Sequence, residues 1–312
     1  MSEKNSTTET SVPLLAWGLL VLLALVWGSS FILIKKSLHV YSITEVAAGR
    51  VFLAFLFFVP VLLRSWRTIP KPLLKIFFIS GMLGYLIPAF LIAIAQSEIT
   101  SALAGTLNAV SPMFTMIVGV LFFARTTNRM QVAGLLIALG GALLLIFTKA
   151  GVAIPEVNSY ALLIVLATLC YGTNINVVSK FYGDLSPVVS TAWIFAFVGP
   201  LSFGILLFTD FFGKMAEPAN WMPSSFLISL GVLASGLMSV LFNRVIQLSS
   251  AVFAASVTYL MPIVALSWGL LDSETVGIQQ WAGTVVILVG VYLINRRRKA
   301  RKMSLELDNP LS

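Results

Sequence analysis

Charge is scarce in this chain. Of its 312 residues 10% are charged and 58% hydrophobic, with a mean hydropathy of +0.97. A soluble domain carries roughly 25% charged residues, so this chain lacks the polar surface to cover itself in water and lipid must be its main solvent. Cysteine occurs once, as Cys170 inside an apolar run. That excludes a disulfide within the chain and a cysteine metal cage, and Cys170 reads as a small packing residue. Histidine also occurs once, as His39 in a short loop, where a surface role is the natural reading. The twelve acidic residues avoid the centres of the apolar runs, which argues against proton or sodium chemistry at a buried mid-membrane carboxylate and leaves Glu45 and Glu98 as the acids nearest to such a role. No Gly-x-x-x-x-Gly-Lys-[Ser/Thr] phosphate loop occurs, so the chain is not expected to hydrolyse ATP. With no cluster of His, Asp, Glu or Cys, no enzyme activity, metal or cofactor is expected. The net charge of +8 does not gather into a soluble patch; basic residues sit between apolar runs and at 296–302. That is a membrane-edge pattern rather than a nucleic-acid one.

What is present is a series of long apolar runs. Ten fit a spanning helix of about 20 residues, at about 14–34, 43–63, 73–93, 100–123, 130–148, 158–178, 187–209, 225–245, 250–271 and 277–295. The fold class expected is all-α integral membrane with ten transmembrane helices. The first run is too long for a signal core, lacks a leading basic cluster and has no Ala-x-Ala site after it, so it reads as a retained helix. With the N-terminus inside, fifteen of the twenty Lys and Arg fall on the cytoplasmic side and four outside, Arg50 being within a segment. Both termini are therefore expected in the cytoplasm, and the location is the cell (inner) membrane, crossed many times. The tails at 1–12 and 296–312 are polar.

The runs repeat. Ser101, Gly105, Asn108 and Pro112 are matched by Ala251, Ala255, Thr258 and Pro262 at a constant offset of 150. Trp27-Gly28-Ser29-Ser30 is matched by Tyr171-Gly172-Thr173-Asn174 at an offset of 144, and Gln131-Val-Ala-Gly134 by Gln280-Trp-Ala-Gly283 at 149. The chain thus divides into repeats at 13–148 and 149–295, each with five spans. Five is odd, so the second repeat enters the membrane from the opposite face, giving two inverted five-helix repeats.

These same blocks carry a resemblance. Trp27-Gly-Ser-Ser-Phe31, Ala48-Gly-Arg50, Ala104 to Pro112 and Gly134 to Gly141, with their second-half echoes, resemble EamA-type members of the drug/metabolite transporter superfamily over about residues 14–295. The resemblance implies two inverted five-helix halves around a central cavity. It also implies export or exchange of small metabolites, often amino acids or related compounds, with small-molecule solute and lipid as the partners. The second copy has Trp193 and Ile194 where the first has Arg50, so that charge has no twin.

Arg50 is the sharpest candidate for contact with a solute. It lies about seven residues into its segment, roughly 10 Å from the outer edge at 1.5 Å per residue. Its fork suits a solute carboxylate; the alternatives are an outward-reaching side chain, a pair with Glu45, or bonds to backbone carbonyls. Asn108 and Thr258 are the stripe members best able to hydrogen-bond a solute, and Tyr259 suits either a cavity wall or the core. Pro112 and Pro262 mark expected helix bends. Trp27 and Ser30 share one helix face, as do Tyr171 and Asn174. Ser235, Ser239 and Asn243 run along one face of the eighth segment and need partners in lipid. Tyr85 and Pro88 suggest a kink near the cavity. Gly134, Ala138, Gly141, Gly283 and Gly290 form packing surfaces, within the fold or in a dimer, so a monomer or weak homodimer is expected. A channel and a non-transporting scaffold are the competing readings. No ring of like charges or filter-like loop favours the first, and no soluble output domain favours the second.

Overall fold

The computed structural model describes residues 13–65, 71–147, 158–183, 185–249, 254 and 257–295. The two tails and the stripe residues Ala251 and Ala255 lie outside the described residues. Among the described residues every regular element is helical. Eight helices are long and apolar enough to cross a membrane. They are α1 Leu14–Ser37, α2 Ile43–Ser65, α3 Leu74–Gln96, α4 Ser101–Phe122, α5 Arg129–Ile146, α6 Ser159–Phe181, α7 Pro187–Leu206 and α8 Pro218–Leu248. Two shorter apolar helices follow, α9 Val257–Leu271 and α10 Ile278–Asn295. A short amphipathic turn of helix, Phe211–Ala216, lies between α7 and α8. The edges fall close to those read from the apolar runs. The exception is α8, which opens with a 3₁₀ turn at Pro218–Asn220 because Trp221 and Met222 extend its apolar run.

Local chemistry fixes the helix starts. Asn128 and Gln131 form a reciprocal capping box on α5, Asn158 caps α6 and Thr100 caps α4 through a side-chain oxygen, each satisfying an otherwise orphaned backbone N–H. The outward faces carry exposed Leu121, Leu136, Ile278 and Val285, a surface suited to hydrocarbon and costly in water.

Small residues set the packing. α5 lies against α10, α2 against α7, α1 against α9 and the second half of α4 against α6. A Cβ added to Gly28 would stand 2.6 Å from Val264 Cβ, and one added to Gly172 would stand 2.6 Å from the Thr115 N. Positions 28 and 172 are the matched glycines of the two repeats, and each admits a helix just beyond Pro262 or Pro112. Between α5 and α10, Gly134 faces Leu293 Cβ at 2.8 Å, Gly141 faces the Ile287 N at 2.9 Å and Gly283 faces Leu145 Cδ2 at 2.5 Å, measured the same way. These glycines serve contacts within the chain.

Three helices depart from regular α geometry, all near the centre of the bundle. α4 breaks into Ser101–Asn108 and Ser111–Phe122, with Ala109 and Val110 donating to carbonyls three residues back. Pro112 sits in the first turn after the break, where its missing N–H costs nothing. α3 widens to a π-helix at Met82–Leu86, just before Pro88, and α8 does so at Leu230–Leu237. Pro262, by contrast, lies inside the described helix Val257–Leu271, where it is buried.

Charge is segregated by end. All six acidic residues among the described ones, Glu45, Glu98, Asp210, Glu217, Asp272 and Glu274, lie at the end of the bundle that carries Lys35. The opposite end carries Arg64, Lys75, Arg125, Arg129, Lys180 and Arg244 and no acid among the described residues.

Candidate functional site

A cavity of about 150 Å³ lies at the centre of the bundle, where these irregular helices meet. It has room for on the order of ten waters. Most of the residues singled out from sequence line it. α1 supplies Trp27 and Ser30, α2 supplies Arg50, α3 supplies Tyr85, α4 supplies Asn108 and Pro112, α6 supplies Tyr171 and Asn174, and α9 supplies Thr258. The cavity is therefore built by helices from both repeats, and each wall segment is either polar on one face or locally unwound.

Among the described residues Arg50 is the only charged one in the lining. Its Nε and Nη2 donate to Ser235 Oγ at 3.2 and 3.0 Å. Glu45 does not pair with it. That carboxylate accepts from the Ser42 N–H at 2.7 Å and from Lys214 Nζ at 2.7 Å, at the start of α2. Arg50 thus meets a neutral hydroxyl, with no acid among the described lining residues. Tyr171 shares the lining with it.

The aromatic walls are held in place. The Trp27 indole donates to the Ala234 carbonyl at 2.8 Å, in the π-helical stretch of α8, and its ring packs on Phe242 at 5.2 Å. Tyr85 packs on Phe195 at 4.5 Å, and its hydroxyl meets Ser239. Ser30 Oγ donates back to the Trp27 carbonyl, and Ser239 Oγ to the Ser235 carbonyl. Two amide oxygens in the lining, Asn108 Oδ1 and Asn174 Oδ1, are buried with no hydrogen-bond partner. A buried acceptor without a partner costs about 1–3 kcal/mol, a cost that a donor on a bound solute would offset.

Three of the residues singled out lie elsewhere. Asn243 donates to Thr191 Oγ1 at 3.2 Å and lines a smaller cavity of about 110 Å³ at the Arg125 end of the bundle. Eight residues beyond Ser235 it is about 12 Å further along the axis and rotated by roughly 80°. Tyr259, one residue from Thr258, is turned about 100° away and donates to the Val291 carbonyl at 2.6 Å on α10. Pro262 is buried in the α1–α9 contact. Ser235 and Ser239, read from the sequence as polar along one face of α8, line the cavity, and so do Gly84, Ser111 and Thr115, which the residue pattern did not single out.

A family model described as "EamA-like transporter family" matches residues 14–147 and 158–296. The chain belongs to the EamA-like transporter family. Among its relatives is an "Uncharacterized transporter" of Archaeoglobus fulgidus, 22% identical over 90% of this chain and 99% of the relative. Another, of Salmonella typhimurium, is described as "Probable amino-acid metabolite efflux pump" and is 26% identical over 88% of this chain and 93% of the relative. A solved crystal structure superposes with a TM-score of 0.60 over 89% of this chain and 95% of that one, at 16% identity, a likeness of fold alone. Membership of this family, with the apolar helices, makes the chain a multi-pass membrane protein of a transporter family.

Proposed function

We propose that this chain exports or exchanges small organic metabolites, amino-acid-like solutes above all, by alternating access of the central cavity. The observation that carries the reading is the Arg50 guanidinium, which lines the central cavity with no acid among the described lining residues, in a lining that also holds two unpartnered amide oxygens. A solute with a carboxylate and an N–H donor satisfies both groups, and aromatic walls suit its apolar part. The relative described as an amino-acid metabolite efflux pump is consistent with that chemistry.

In this reading the fold is ten transmembrane helices in two inverted five-helix repeats, 13–148 and 149–295. The matched contacts of Gly28 and Gly172 support it, as does the pairing of α1 with α9 and of α6 with α4. So do the two non-glycine residues with left-handed φ, Ala124 at 51° and Ser273 at 57°, which stand 149 residues apart in equivalent turns. The segregation of basic residues to one end supports cytoplasmic termini in the cell inner membrane, with the Lys35 end outside. The carrier works as a monomer or weak homodimer, by uniport or exchange.

The test is a comparison of intracellular and medium metabolite pools with and without overexpression, repeated with Arg50→Ala. Efflux of one class of carboxylated amines by the parent, lost in the variant, is the expected result. Unchanged pools for every metabolite would overturn the reading.

A further inference from the structure

The two ends of the bundle are closed by the same turn, built with opposite chemistry. Past α9 the chain turns through Ser273, and the Glu274 N–H donates to the Gly269 carbonyl at 2.8 Å. Past α4 it turns through Ala124, and the Arg125 N–H donates to the Gly119 carbonyl at 3.0 Å. In each turn a glycine makes room for the side chain that follows. A Cβ on Gly269 would stand 2.7 Å from Glu274 Oε2, and one on Gly119 would stand 2.9 Å from Arg125 Cδ. Each side chain then crosses to another helix. Glu274 reaches Lys35 on α1 at 2.8 Å, and Arg125 reaches Ser179 on α6 at 3.1 Å. Lys35 and Ser179 are 144 residues apart, the offset that relates Trp27 to Tyr171.

The strengths of the two closures differ. Glu274 is 2% exposed and accepts from Lys35, from the Ser101 N–H at 3.0 Å, from Ser101 Oγ at 2.9 Å and from the Ala102 N–H at 3.0 Å. Asp272 adds Lys35 at 2.9 Å and Lys36. This network ties together the end of α1, the start of α4 and the α9–α10 turn, which must part if the cavity is to open on that side. Separating a buried carboxylate from its cation leaves an uncompensated charge. The Arg125–Ser179 contact is exposed and has a neutral acceptor, and Lys180 beside it adds a like charge.

We infer that Glu274, with Lys35, Lys36 and Asp272, is the gate of the Lys35 end. Its weaker twin at Arg125 and Ser179 is the gate of the opposite end, so the carrier at rest opens through the Arg125 end. The inference rests on the alternating-access reading of the central cavity, and Glu274 acts as a positioning residue that touches no solute.

The test needs no solute. Cys170, the only native cysteine, is changed to Ser, and Ser30→Cys places a reporter thiol in the cavity. A membrane-impermeant maleimide is applied to intact cells from outside. In the parent the thiol is protected; in Glu274→Gln its labelling rate rises about tenfold, the population shift expected when one gate is weakened. Ser179→Ala produces no rise from that side. Labelling of Glu274→Gln at the parent rate, or an equal rise in Ser179→Ala, overturns the inference. Should Glu274→Gln fail to reach the membrane, Lys36→Ala removes only the Lys36–Asp272 pair and leaves Lys35 on both acids, and a smaller rise supports the gate while none overturns it. A chain that moves no metabolite but labels with this asymmetry would sink the transport reading and leave the gate standing.

Discussion

At the scale of single residues the central cavity is a problem of unmatched groups. Arg50 gives its Nε and Nη2 to one hydroxyl, Ser235 Oγ, and such a fork has more donors than a single serine accepts. Burying it there without an acid is costly, so the position is justified by what occupies the cavity in the working cycle. Arg50→Ala is expected to abolish transport at unchanged membrane abundance. Arg50→Lys keeps the charge but loses the paired donors, and is expected to raise KM more than it lowers kcat. The two orphaned amide oxygens make the complementary prediction. Asn108→Ala and Asn174→Ala should each raise KM about tenfold, the worth of one hydrogen bond to a charged donor, and should leave thermal stability in detergent unchanged or slightly higher. Uptake kinetics and a melting curve on the same preparations check both. Ser30 and Thr258 could be singled out from their place in the repeat. Ser235 became legible as the Arg50 partner only when α8 was seen to widen, because helical spacing alone aims residues by regular turns of about 100°.

At the scale of helices, the irregular stretches carry the architecture. The break in α4 at Ala109–Val110 and the π-helical turns of α3 and α8 all border the cavity, and such turns recur where a helix must present backbone or re-aim side chains. Apolar runs gave good edges for most helices because length and hydropathy are local properties. The π-helical turns were hidden, since the apolar runs that contain them carry no break; Tyr85 lies within one, and Trp27 donates to the Ala234 carbonyl within the other. The Glu274–Lys35 pair was hidden for another reason: its partners are 239 residues apart, and no periodicity links them. The α5–α10 seam makes a stability prediction. Gly134→Leu would drive a side chain into the Gly290 carbonyl and the Ile294 N, an overpacking on the order of 3 kcal/mol, and should lower membrane abundance sharply where Gly140→Leu, in open space, does not. The gate has a pH signature. Hydrogen bonds from Lys36 and Lys35 hold Asp272 below its ordinary value. Burial raises the Glu274 carboxyl, but Lys35 and the N–H groups of Ala102 and Ser101 outweigh it and hold the group below its ordinary value. Carboxylates held low contribute stability above their ordinary pKa and lose it as pH falls through the lowered one. The melting-temperature gap between the parent and Glu274→Gln should therefore stay constant from about pH 7 to about pH 5 and shrink only below roughly pH 4.

At the scale of the whole molecule, the chain has one cavity wall set by symmetry and one charge that breaks it. In the proposed reading, the matched glycines, left-handed turns and helix pairs belong to a scaffold that exchanges the roles of its two ends. Arg50 without a twin, and Glu274 facing Arg125 across that symmetry, describe how the two ends were made unequal. The scarcity of buried carboxylates limits what can drive the cycle. All six described acids sit at the Lys35 end, Glu45 and Glu274 already engaged by lysines, and among the described residues no acid lines the central cavity. Transport should therefore follow the gradient of the solute itself. The most direct measurement is solute flux in proteoliposomes, with the metabolite found by the pool comparison, in the parent and in Arg50→Ala. The account predicts flux down a solute gradient with no ion gradient, accelerated by solute on the far side and absent in the variant. Flux that strictly requires an imposed proton or sodium gradient, or that is undiminished in Arg50→Ala, would contradict it.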